Sequence, residues 1–274
     1  MRIARQQPVT SIQFITPCPK LQSLIRCYYI SESDYRNDVK DVFFADGCIE
    51  VVFHLGLNFY RANQKESAAK VISQITQPLP MRANGTGRTF GIWFLPHAFS
   101  MFTKIPLNEI NDKVIALDHV FDRTFIELVN SSIHENNIQE VVDATNNYLG
   151  SKLTTTHHTR DKITAHAVQY ILTQKGNTDL DQLSDDCGIS NRYLQQLFME
   201  KVGFSPKFFI RIARFQQALS CLSRNENTSL TDLTYRMGYY DQAHFIKEFR
   251  DFTGTTPSQF QLSRHPINQY FLNL

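Results

Sequence analysis

One segment of this chain occurs twice. Leu194, Phe198, Gly203, Pro206 and Phe209 recur on a shift of 51 residues as Phe245, Phe249, Gly254, Pro257 and Phe260. A repeat of this kind signals one supersecondary unit used more than once. The apolar residues within each copy recur at helical spacing, and each copy ends in Gly-x-x-Pro, so the unit is a helix closed by a breaker. A short amphipathic stretch precedes each copy: Leu180–Cys187 before Gly188, and Leu230–Met237 before Gly238. The pattern is helix, tight turn, helix. The glycine gives the turn its backbone freedom, Ile189 and Tyr239 plug the angle, and Ser190 and Asp241 stand where an N-cap belongs. Between the copies, Ser205 to Ser223 reads as one long amphipathic helix with Pro206 in its first turn and Phe208, Ile212, Phe215 and Leu219 along its buried side.

The helix after each turn has two faces. In the first copy Leu194, Leu197 and Phe198 point inward, leaving Arg192, Gln195 and Gln196 outside. In the second, Phe245 and Phe249 point inward while Gln242, Ala243 and Lys247 face out. These types suit a major groove: Arg pairs with guanine, Gln with adenine, and an Ala methyl meets thymine. Ser190, Asn191, Asp241 and His244 are the candidates for backbone contacts. Successive major-groove segments lie about 34 Å apart, so a rigid spacer lets one monomer read both. Because the two reading faces differ, the expected site is asymmetric.

Residues of about 160–265 resemble the C-terminal DNA-binding domain of the AraC/XylS family. The stretch Met237-Gly238-Tyr239-Tyr240-Asp241-Gln242-Ala243-His244-Phe245 and the end Gly254-Thr255-Thr256-Pro257-Ser258-Gln259-Phe260 carry the likeness. The resemblance implies seven helices, paired helix-turn-helix units on double-stranded DNA, and activation through RNA polymerase. The family often has Arg where Gln196 and Lys247 stand. Lys247 keeps the charge without the planar fork, and Gln196 loses it.

The first half has another texture. Val42–Ala45, Ile49–Leu55 and Thr89–Leu95 are short, β-branched and aromatic, and read as strands. Asp46-Gly47 reads as a hairpin turn, and Leu21, Leu24 and Ile25 after Pro19 read as a short helix before a Cys27–Ile30 strand. Asp46–Gly56, Phe94–Ala98 and Pro106–Ile110 resemble a β-rich sensor-like domain found ahead of AraC-type DNA-binding domains. From Asp122 the period turns helical, and the polar run from Gly150 to Thr159 marks a linker. The expected fold is α+β. Residues 1–121 form a β-rich, barrel-like effector or dimerisation domain, 122–159 a helical connector and linker, 160–265 the all-α double helix-turn-helix domain, and 266–274 a tail.

A small-molecule effector is expected in the β-rich part, with Tyr28, Phe43, Glu50, Phe53, His54 and Trp93 as candidate pocket residues. No metal or other cofactor is expected: His54 stands alone, His97 and His119 are distant in sequence, and His157-His158 fall in the linker. Five scattered cysteines without a C-x-x-C pair fit a reducing compartment rather than a disulfide frame, and nothing marks Cys48 as a reactive thiol. With 42% hydrophobic residues a packed core is within reach, and a net charge of +2 means that any nucleic-acid binding rests on placed charges. No secretory leader or membrane-length apolar run is read, so the expectation is a cytoplasmic protein with no membrane partner. Nucleophile elbows, phosphate loops and zinc-protease motifs are absent from the sequence, which argues against an enzyme. Homodimerisation through the β-rich domain or the connector helices is a further expectation. The alternative function is a constitutive or architectural regulator whose first domain only dimerises.

Overall fold

A computed structural model describes residues 9–153, 159–224 and 229–262. Residues 154–158, which include His157 and His158, and the 266–274 tail lie outside the described residues. The first half is built on three long strands: β2 (Ile25–Phe43), β3 (Ile49–Arg61) and β6 (Leu79–Phe94). With β1 (Val9–Ile15), β4 (Gln64–Lys65), β5 (Ala69–Ile72) and β7 (Val114–Ala116) they form one antiparallel sheet ordered β1-β2-β6-β3-β5-β7, with β4 paired to β3.

The topology corrects two local expectations. β6 lies between β2 and β3, so Asp46-Gly47 is no hairpin turn but a connection across the end of β6. Its carboxylate is taken up instead by the Cys48 N–H at 2.9 Å and the Trp93 indole N–H at 3.2 Å. The segment after Pro19 makes tight turns rather than a helix, with the Leu24 and Ile25 N–H groups bonding back to the Leu21 carbonyl.

Strand alternation divides the sheet into two faces. Tyr28, Ile49, Val51, Phe53, Phe90, Ile92 and Phe94 bury one face against α2 (Arg123–His134) and α3 (Ile138–Lys152). Phe125 of α2 meets Phe53 edge-on at 6.2 Å and stacks on Tyr148 of α3 at 4.0 Å, while the Tyr28 hydroxyl donates to Asn146. A short α1 (Leu107–Ile110) precedes β7.

The second half is helical: α4 (Thr159–Thr173), α5 (Leu180–Cys187), α6 (Asn191–Lys201), α7 (Pro206–Ser223), α8 (Leu230–Arg236), α9 (Gln242–Thr253) and α10 (Pro257–Leu262). The starts are chemically marked. Asp179 and Gln182 form a capping box on α5, and Ser190, Ser205, Ser229 and Asp241 each accept a backbone N–H of the helix they begin. Gly188 and Gly238 take φ of +63° and +70° in the two turns, a conformation that β-carbon-bearing residues resist.

The two halves share a core. Phe44 and Ala45 from the β2–β3 connection join the cluster formed by α4 to α10, and Phe44 meets Phe260 at 5.7 Å. Gln216 of α7 donates to the Ala45 carbonyl, and Asn111 donates to the Gly203 carbonyl at 2.8 Å. No helix among the described residues is long and apolar enough to cross a membrane.

Candidate functional site

On α6, Leu194, Leu197 and Phe198 are buried, while Arg192, Gln195 and Gln196 are exposed. On α9, Phe245 and Phe249 are buried, while Gln242, Ala243, His244 and Lys247 are exposed. A helix of 3.6 residues per turn produces this split from the sequence order alone.

Several candidates are engaged within the protein. Ser190 accepts from the Tyr193 N–H and Asp241 from the His244 N–H at 2.7 Å, so both act as caps. Asn191 donates to Asp181 at 2.6 Å, tying α6 to α5. The Gln242 amide donates to Thr231 of α8 at 2.6 Å. Arg192, Gln195, Gln196 and Lys247 carry no such tie among the described residues. Between the units runs a cleft walled by Asp179, Asp181, Lys207, Arg214, His244 and Lys247.

The second unit contains a buried polar network that the sequence reading missed. Glu248 is 4% exposed; it accepts from Arg211 of α7 at 2.7 Å and from the Tyr239 hydroxyl at 2.9 Å. The charge at Glu248 joins burial in pushing the Tyr239 phenol above its ordinary range. The signal was a Glu flanked by Lys247 and Phe249 on a helix whose inward positions were otherwise aromatic.

A cavity of about 400 Å³ lies between the sheet and α7. Its floor is the sheet face opposite α2 and α3: Tyr29, Ser31, Glu50, Val52, His54 and Trp93. Its roof is α7, through Phe209, Ile212, Ala213, Gln216 and Ser220. Of the sequence candidates, Phe43, Glu50, His54 and Trp93 line it. Tyr28 and Phe53 do not: they lie on the opposite face, in the core against α2 and α3. Neighbours on a strand point to opposite faces, so residues 53 and 54 could never share one pocket wall.

Burial governs the chemistry of the floor. It lowers His54 well below the ordinary imidazole range, so the ring is neutral; Nδ1 lies 2.8 Å from the Thr89 hydroxyl and Nε2 has no partner among the described residues. Burial also pushes the Cys48 thiol upward, the opposite of a reactive cysteine. Glu50 is raised to about 7, chiefly by desolvation and against the hydrogen bond from Tyr29. Away from the cavity, His166, Asp186 and Cys187 bring potential ligand atoms within 4.8 Å of one another on the outer side of α4 and α5, a grouping hidden from the sequence by their separation. His166 and Asp186 there satisfy each other at 2.6 Å.

Two helix-turn-helix units joined by one long helix, with polar residues presented on each second helix, define the architecture of a double helix-turn-helix regulator. Residues 183–263 match the family described as a helix-turn-helix domain, and residues 13–116 match a domain of unknown function, DUF6597. The chain is similar to an HTH-type transcriptional regulator of Haemophilus influenzae, at 30% identity over 105 residues, 38% of this chain and 35% of that protein. It is similar to the F1 operon positive regulatory protein of Yersinia pestis, at 31% identity over 100 residues, 35% of this chain and 32% of that one. The match thus spans about a third of the length of these relatives, and 12% of a longer regulator from Staphylococcus aureus. Among solved structures, ToxT of Vibrio cholerae aligns over 86% of this chain and 97% of its own at 11% identity and a TM-score of 0.45. The C-terminal domain of AraT from Geobacillus stearothermophilus aligns over 37% and 85% at 24% identity and a TM-score of 0.35. The helical part of the chain thus carries a helix-turn-helix domain similar to those of proteins named as transcriptional regulators.

Proposed function

We propose that this chain binds duplex DNA as a monomer-competent reader and that a small organic effector in the cavity between the sheet and α7 adjusts that binding. The observation that carries the reading is the cavity roof. α7 is both a wall of the cavity and the spacer between the two helix-turn-helix units, so a molecule bound there touches the element that sets their separation. Arg192, Gln195 and Gln196 read one major-groove segment, and Gln242, Ala243 and Lys247 the next. Activation through RNA polymerase is part of the proposal. The printed name of the Yersinia relative, a positive regulatory protein, supports it. Dimerisation through α2 is a further part, supported by the exposed Leu128 on its outer face.

Selection from a random DNA pool, followed by footprinting with the full chain, tests the reading. The expected result is two protected major-groove segments on one side of the duplex, about one helical turn apart and unlike in sequence. A single protected segment, or two segments of identical sequence, overturns the unequal double reading.

A further inference from the structure

Glu50 is the most unusual side chain in the cavity. It is half-buried and its remaining exposed surface faces the cavity. The sheet makes room for its one hydrogen-bond partner among the described residues, Tyr29. Gly91 lies beside Tyr29 on the neighbouring strand, and a β-carbon there would sit 2.0 Å from the Tyr29 ring. The Tyr29 ring therefore crosses Gly91 and donates its hydroxyl to Glu50. One donor leaves most of a carboxylate's roughly four acceptor sites unfilled.

The nearby cations are committed elsewhere. Lys70 bonds Glu66 at 2.7 Å and sits over the Phe59 ring, and Arg26 lies over the Trp93 ring at 4.9 Å. No Lys or Arg among the described residues forms an ion pair with Glu50. Asp46 from the β2–β3 connection, with Cys27 and Cys48, adds to the negative or neutral character of this end, and His54 is neutral. From the helical side the charged groups are Lys175 and Arg224, both exposed at the rim. Solvent and salt screen rim charges strongly, whereas a charge drawn in beside the half-buried Glu50 is screened less. The walls beyond are apolar: Ile12, Tyr35, Phe43, Phe44, Phe59 and Ile72.

Resting on the effector reading above, we infer that the cavity takes an amphipathic amine, whose protonated nitrogen docks on the Glu50 carboxylate while its hydrocarbon body lies against Tyr35, Phe43, Phe44 and Phe59. The volume of about 400 Å³ suits a compact ligand, toward the lower end of the range of about 300–1,000 Å³ for small-molecule pockets. A carboxylate ligand would instead set like charge against Glu50 and Asp46. Amine binding also settles the proton on Glu50. In the empty cavity that carboxyl is about half protonated at neutral pH, and an alkylammonium, ionised up to about pH 10, binds its anion and drives the proton off. Affinity therefore rises with pH through 7, by about tenfold from pH 6 to pH 8, as the ionised fraction of a group titrating near 7 rises about tenfold.

The test titrates the full chain with alkyl and arylalkyl primary amines, each beside the alcohol and the carboxylate of the same skeleton, by calorimetry and thermal shift at pH 6, 7 and 8. The expected result is that amines bind about tenfold or more tightly than their matched alcohols, and that Glu50→Gln abolishes this preference. Proton release on binding, measured on the unaltered chain in buffers of different ionisation enthalpy, tests the same point without a substitution. Release close to one proton per ligand at pH 6, falling toward zero at pH 8, supports the inference. Alcohols or carboxylates binding as well as amines, or amine binding without proton release at pH 6, overturns the amine reading and leaves the effector cavity standing. If no member of the set binds, the cavity is not an effector site and both readings fall.

Discussion

The two helix-turn-helix units solve the same packing problem with different chemistry. On the 51-residue shift, Leu197 of α6 and Glu248 of α9 occupy the same place in the repeat, and both are buried. The first unit closes that place with hydrocarbon. The second closes it with a carboxylate held by Arg211 and Tyr239, so α9 is fixed to α7 by directed bonds as well as by Phe215, Phe249 and Phe252. The turns differ too: the second is one residue longer, and the extra Tyr240 is 88% exposed. A repeat can keep its backbone plan while its units diverge in how tightly their orientation is specified. A charge pair with its carboxylate buried stabilises little over hydrocarbon of the same shape, yet it is costly to break from one side.

The comparison can be broken most forcefully at that shared place. Leu197→Ala is expected to cost about 3 kcal/mol of stability through lost burial and a cavity. Glu248→Ala is expected to cost about 2–3 kcal/mol by stranding Arg211 and Tyr239. Urea unfolding measures both. Glu248→Leu combined with Arg211→Met converts the second unit to the chemistry of the first, and it should recover most of the loss. If the combined variant is as unstable as Glu248→Ala, the two places are not equivalent.

On DNA, Arg192→Ala should weaken specific binding by about 1–3 kcal/mol and relax discrimination at one position in the half of the site read by α6. Anisotropy titrations against single-base variants of a selected site check this, and unchanged discrimination removes Arg192 from the groove. The caps come next: Ser190→Ala and Asp241→Ala should each cost about 1 kcal/mol of stability, read by thermal unfolding, without altering base preference. The smallest effect is expected of Lys247→Ala, seen as a fall of about 1 in the slope of log affinity against log salt if this ammonium neutralises a phosphate. An unchanged slope assigns Lys247 to a base edge or to solvent.

The helical half was more legible in the sequence than the sheet, and the reason is locality. Helix faces, caps and turn glycines are set by residues within a few positions of each other, so the exposed rows on α6 and α9 follow from spacing. The sheet is set by partners far apart. Nothing near Asp46-Gly47 reveals that β6, some forty residues later, slides between the strands it joins. The cavity suffered likewise: Glu50 and His54 stood out as polar residues in an apolar strand, but Tyr29, Arg26 and the roof on α7 come together only through the tertiary fold. Tyr28 and Phe53 were within reach of a stricter reading, since alternation alone separates them from Tyr29 and His54.

The presence of Phe44 and Ala45 inside the helical core has a thermodynamic consequence. A regulator whose sensing and reading halves were tethered beads would melt in two steps, each half keeping its own stability. Here the β2–β3 connection is a structural member of both halves, so neither can come apart without tearing the other's interior. Unfolding should be a single cooperative event, and whatever tightens the cavity should raise the melting temperature of the whole chain at once.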